Sequence, residues 1–144
     1  MTCVFFGNRD CPDSVKPRLL DAIRKQIEGG ATRFYVGTNG RFDAIALACL
    51  RALKREYPEI RYAAVLSRFP SDPTAFPPDE TILPDGIESV PPRFAIDYRN
   101  RWMIARADVV IAYRSRSFGV AAKNVGRAER IGIPVVNLSD GADG

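Results

Sequence analysis

Apolar positions in this chain alternate between two textures. Thr2-Cys3-Val4-Phe5-Phe6 is a continuous run that ends at Gly7, the pattern of a strand buried on both faces. Leu19, Leu20, Ile23 and Ile27 then recur on one helical face, with Asp13 or Ser14 placed to cap it, Pro17 in its first turn and Gly29-Gly30 ending it. Further strands are predicted at about Thr32 to Val36, Ile60 to Leu66, Asp108 to Tyr113 and Ile133 to Leu138. Helical periodicity fills the spaces between them. Phe42, Ile45, Ala46, Cys49, Leu50 and Leu53 share one face before Pro58, and Phe118 to Ile131 reads as a helix closed by Gly132. Arg93 to Ala107 carries Phe94, Tyr98 and Trp102 at i, i+4 and i+8, a spacing that marks a buried face.

Residues 68–92 break the alternation. They hold seven of the eleven prolines, a density at which no regular helix survives. A long ordered excursion is expected there, with a short strand near Gly86 to Val90; loops of this length in compact domains are usually functional or disordered. Strands alternating with helices, the strands apolar throughout, predict an α/β fold. The expected form is a single doubly wound Rossmann-like domain over residues 1–139, its mostly parallel sheet flanked by helices. Residues 140–144 are expected to be a frayed tail. A length of 144 residues suits one domain and is short for two.

Composition narrows the chemistry. There is no histidine, which removes ordinary zinc sites and every His-based catalytic constellation. Cys3, Cys11 and Cys49 lack metal spacing and suit a reducing cytoplasm. No metal or cofactor is assigned. No apolar run reaches membrane-spanning length and no leader pattern opens the chain, so neither a membrane nor secretion is expected. A net charge of +4 suits an anionic small molecule.

In a doubly wound sheet, ligands sit beyond the C-terminal strand ends, so the residues just after each strand are the candidates. After the first come Gly7, Asn8 and Arg9, a sharp turn carrying donors for an anion. After the second come Gly37, Thr38, Asn39, Gly40 and, in the first helical turn, Asp43. Such a turn brings backbone N–H groups to a helix N-terminus, where phosphate is favoured, and a carboxylate there can bond a ribose hydroxyl. After the strand at 108–113 come Ser115, Ser117, Phe118 and Gly119 with two arginines, again opening a helix. Each turn also has a plainer reading, as a tight glycine turn with a capping side chain. Arg99 and Asn100, on the helix after the excursion, are placed to reach the strand ends; the plainer reading pairs Arg99 with Asp97 at the surface. Walker-type and G-x-S-x-G motifs are missing, and only Asp10 and Asp43 offer carboxylates beside these turns.

Three stretches together resemble a known group. Gly7-Asn8-Arg9 after a strand, Gly37-x-x-Gly40-x-Phe42-Asp43, and Arg99-Asn100-x-x-Met103 before Asp108-Val109-Val110-Ile111 are similar to the YpsA-like proteins. These belong to the SLOG superfamily, with the DNA-processing protein DprA and the cytokinin-activating LOG phosphoribohydrolases. The resemblance spans about residues 2–138 and implies a Rossmann-like fold with a pocket for a nucleotide or a nucleotide-derived, ADP-ribose-like ligand. Two departures stand out. Asn8 replaces the histidine common in the opening motif. Arg116 to Asn124 stands where the LOG enzymes have Pro-Gly-Gly-x-Gly-Thr-x-x-Glu, so the catalytic glutamate falls on Asn124 and the threonine on Ala121.

The expected function is therefore a non-catalytic binding module for a nucleotide-derived small molecule. The alternative is an enzyme that cleaves or transfers at an N-glycosidic bond of a nucleotide, with Asp43 or Asp10 in place of the glutamate. Nucleic acid is not expected as a partner, because the basic residues are spread along the chain. A homo-oligomer through the Phe94 to Trp102 face is left open.

Overall fold

A computed structural model describes residues 1–70, 72 and 74–139; the tail expected to fray, 140–144, lies outside the described residues. Among the described residues, six strands form one sheet: β1 (Thr2–Gly7), β2 (Arg33–Val36), β3 (Arg61–Val65), β4 (Thr81–Ile82), β5 (Val109–Tyr113) and β6 (Val135–Asn137). Every pairing is parallel, in the order β4-β3-β2-β1-β5-β6. Four helices cover it: α1 (Lys16–Glu28), α2 (Arg41–Glu56), α3 (Ala95–Arg106) and α4 (Val120–Arg130).

The strand alternation decides which helices go where. Cys3 and Phe5 of β1 face a core built with Leu19 and Ile23 of α1 and with Phe42, Ala46 and Leu50 of α2. Val4 and Phe6 face the opposite core, with Met103 and Ile104 of α3 and Val125 and Ala128 of α4. The result is the expected α/β Rossmann-like domain, three layers deep. Winding starts at β1, runs outward through β2 and β3, and returns to the other side of β1 at β5. Such a reversal leaves a crevice at the strand ends. Gly7 stands in register with Tyr113, so the turns after β1, β2 and β5 all open on one edge.

Gly7 shows how tightly that edge is built. A Cβ there would lie 2.2 Å from Cγ of Phe42, whose ring is wholly buried. Gly7→Ala should therefore cost about 1–3 kcal/mol through overpacking, read as a lowered urea midpoint with an unchanged slope.

Three expectations need correction. The short strand of the proline-rich excursion is Thr81–Ile82, paired with Ala64 and Val65, and not Gly86 to Val90, where Ile87–Ser89 forms a 3-10 turn. Between Pro78 and Pro84, Thr81 and Ile82 keep their N–H groups and are β-branched, so a two-residue edge strand fits. Glu80 fastens this segment to the sheet, bonded by Arg51 at 2.8 Å and by the Tyr62 hydroxyl at 2.5 Å. The start of α1 lacks the side-chain cap expected from Asp13 or Ser14; a 3-10 turn at Asp13–Val15 precedes it, and Asp13 pairs with Arg41 at 2.7 Å.

The third correction concerns α3. Its buried residues are Ala95, Arg99, Asn100, Met103 and Ile104, not the Phe94, Tyr98, Trp102 stripe. Phe94 precedes the helix and is exposed. Trp102 is half-buried, edge-on to Tyr35 at 5.1 Å and covered by the Arg106 guanidinium at 3.7 Å. The Tyr98 hydroxyl donates to the Asp85 carbonyl. Two polar side chains occupy the buried face because their hydrogen bonds are met there.

Candidate functional site

The crevice is a cleft of about 380 Å³ at the ends of β1, β2 and β5. Of the candidate residues it is lined by Gly7, Asn8, Arg9, Gly37, Asn39, Asp43, Arg99, Asn100, Phe118 and Gly119. Thr38, Gly40, Ser115 and Ser117 do not line it. Thr38 accepts a long bond from Arg99 at 3.5 Å. Gly40 makes room for Arg9, whose Cα would lie 2.6 Å from an added Cβ. Ser115 accepts the Asn8 side-chain amide at 2.5 Å, and Ser117 is exposed. Phe5, Phe6, Asp10, Ile96, Arg116, Val120 and Ala121 also line the cleft. Arg116 and Asp10 form an ion pair with each other. Ile96, in the first turn of α3 ahead of Arg99, carries no signal of its own, since its side chain is apolar.

Arg99 organises the floor. It is only 2% exposed and forms no ion pair with Asp97, which instead receives Arg101, Lys123 and Arg127. Its Nε donates to Asn100 Oδ1 at 2.8 Å, Nη1 to the Val65 carbonyl at 2.9 Å and Nη2 to Asn39 Oδ1 at 2.7 Å. One guanidinium thus ties α3 to the end of β3 and to the turn after β2. Its fork is largely spent on the protein, so it offers a ligand charge more than free donors. Burial pushes its acidity upward, and the nearby Asp43 carboxylate opposes that.

The two glycine turns look alike in sequence and in backbone. Gly40 caps α2 with φ +94° and ψ −179°, and Gly119 caps α4 with φ +97° and ψ 179°, a region essentially restricted to glycine. They differ in what fills them. At α2 the Asp43 carboxylate turns back to accept the Asn39 N–H at 3.0 Å, and the Arg41 N–H bonds the Arg9 carbonyl at 2.9 Å. That turn carries its own anion. At α4 the first N–H to bond back is that of Lys123, to Gly119, so the amides before it have no intrahelical partner. Val120 and Ala121 line the cleft, and a side chain at Gly119 would meet nothing within 4 Å.

Asp43 is buried, 8% exposed. Burial pushes its carboxyl up to about 6, against the Asn39 N–H and the charges of Arg99 and Arg9. Because the folded value lies above the unfolded one, the native state binds more protons between about pH 4 and 6. Stability from this group is therefore present at low pH and lost as pH rises through 6. Asp43→Asn should remove that downward slope across pH 4–6 in a series of urea titrations, leaving the rest of the pH profile intact.

No protein-family model and no curated protein matches the sequence. Among solved structures, the fold is similar to that of DNA processing protein A from Helicobacter pylori. The TM-score is 0.59 at 17% sequence identity, over 94% of this chain and 63% of that one. The relationship is distant and structural. It shows a shared Rossmann-like fold, and this chain spans under two thirds of the chain it resembles. That protein is described for its single-stranded DNA binding mode, which overturns the expectation that nucleic acid is not a partner. That expectation rested on the spread of basic residues along the chain. Arg9, Arg99 and Arg116 are far apart in sequence, yet all line one cleft. Among the described residues, no helix is long and apolar enough to cross a membrane.

Proposed function

We propose that this chain is a binding module for a nucleotide or nucleotide-derived ligand, held phosphate-first at the N-terminus of α4. The observation that carries the reading is the contrast between the two glycine turns: the turn before α2 holds the Asp43 carboxylate on the Asn39 N–H and the Arg41 N–H on the Arg9 carbonyl, while at α4 the amides before Lys123 have no intrahelical partner and Val120 and Ala121 line a cleft bordered by Arg9 and Arg116. Helix N-termini bind phosphate through such amides and the dipole behind them. The cleft volume falls at the small end of ordinary ligand sites. An ADP-ribose-like molecule supplies the required phosphate and sugar, and so does a nucleotide of a single strand. The similarity of the three motifs to YpsA-like proteins supports the same class of ligand.

Isothermal titration calorimetry with AMP, ADP-ribose and short oligodeoxynucleotides tests the reading. Arg9→Ala should weaken whichever of them binds by about 1.5–3 kcal/mol, the worth of a hydrogen bond to a charged group. An unchanged affinity would place the phosphate away from β1.

One observation favours catalysis as a second reading. Asp43 borders the cleft with its carboxyl pushed up to about 6, the range of a general acid or base. Against it, Asn124, where the resemblance would put the glutamate, is buried and spends its amide on the Val120 carbonyl and on Arg127. We expect AMP incubated with the protein to yield no free base by chromatography. Base release that survives purification and vanishes in Asp43→Asn would establish the enzyme instead.

A further inference from the structure

A second chamber adjoins the cleft. Its volume is about 550 Å³, and Asn39 and Ile96 line both spaces. Its walls come from the segment after β3 and from the start of α3, with Arg68, Phe69 and Glu88 among them. The binding reading above uses none of these three.

Four of the eight large exposed apolar side chains among the described residues line these two spaces. Phe118, Val120 and Ile96 line the first space and Phe69 and Ile96 the second. Phe118 is 71% exposed and Phe69 74%. Each space therefore has an aromatic ring left open to water with an arginine among its lining residues, Arg116 in one and Arg68 in the other. Open aromatic faces beside guanidiniums are the means by which proteins stack bases while holding the phosphates between them. Apolar exposure gathered at a concave surface marks a binding site better than the same residues dispersed.

We propose that the ligand has two ring systems joined through phosphate, with one base held in the cleft and the second stacked on Phe69 in the adjoining chamber. This rests on the binding reading of the first cleft and extends it. Asn39 and Ile96 form the boundary that the second nucleoside crosses, the phosphate remaining at the N-terminus of α4. Arg68 supplies charge on the far side, and Glu88 is an acceptor for an exocyclic amine or a sugar hydroxyl. The shared chemistry is a dinucleotide, linked either by pyrophosphate, as in NAD, or by phosphodiester, as in a thymidine dinucleotide step of a single strand.

Calorimetry with three probes on the full chain tests this: AMP, NAD and the dinucleotide pTpT. At least one two-ring probe should bind about tenfold or more tightly than AMP. Phe69→Ala should remove that advantage, about 5- to 150-fold, the worth of one stacked base, while leaving AMP affinity unchanged. NAD alone showing the gain would identify a pyrophosphate-linked ligand, and pTpT alone a single strand. Since Phe69 is exposed, its replacement should not disturb folding, and circular dichroism provides that control. If AMP binds and neither two-ring probe gains over it, or if Phe69→Ala weakens AMP equally, the second subsite is wrong while the first reading stands. If none of the probes binds, both fall.

Discussion

Arg99→Ala is expected to cost the protein about 3–5 kcal/mol, the loss seen when one member of a buried charged network is removed. That is a large part of the stability of an ordinary domain. The substitution leaves the Val65 carbonyl and the Asn39 and Asn100 side-chain oxygens without their donor. Each buried orphan costs about 1–3 kcal/mol unless water reaches it. It also leaves Asp43 without a neighbouring charge that steadies its ionised form. The sign with pH follows. With Arg99 gone, the Asp43 carboxyl rises further above about 6, and protonating it relieves the buried charge. The deficit of Arg99→Ala should therefore be larger at pH 7.5 than at pH 5. Urea midpoints at the two values measure this. A deficit below about 1 kcal/mol, as for a surface substitution, would show that the guanidinium is not the brace described here.

Gly119→Asp is expected to abolish anion binding. It places a carboxylate at the mouth of the unfilled helix terminus, where a phosphate would sit, and like charges brought together cost several kcal/mol. That corresponds to well over a hundredfold in affinity. At φ +97° any side chain is strained by about 1–3 kcal/mol, so Gly119→Ala is the proper control. It carries the same strain without the charge. Both variants should unfold at similar urea concentrations, and only the aspartate variant should lose binding completely. Equal affinities in the two would show that the phosphate does not approach α4.

The layers and winding of the fold were legible because β1 and β5, and β2 and β3 beyond their first residues Arg33 and Arg61, read as apolar runs buried on both faces. Glycines and prolines bounded the helices sharply enough to place α2 and α4 within a few residues. The edge next to α4 was legible too, since Gly119 and its neighbours follow directly on β5. What escaped were features that depend on contacts between distant segments. Nothing local reveals that Arg99 bonds Val65, or that the Asp43 carboxylate turns back onto Asn39 and closes a turn whose sequence invites phosphate. The α3 face was misread because helical periodicity assumes polar residues face water. Here Arg99 and Asn100 face inward, since acceptors wait for them. The proline-rich segment was misread at residue level because two β-branched residues between prolines give too short a pattern to register as a strand. Sequence distance also hides that Arg9, Arg99 and Arg116 line one cleft, with Arg99 bonded within the protein and Arg116 paired with Asp10.

The most direct test of the binding site is a two-dimensional amide NMR titration of the whole chain with AMP and with ADP-ribose. The predicted result is a saturable set of shifts confined to the turns around the cleft. The largest should fall at Gly119, Val120 and Ala121, with smaller ones at Asn8, Arg9, Gly37 and Asn39. Saturable shifts centred elsewhere, with the amides of 119–121 unmoved, would contradict the account.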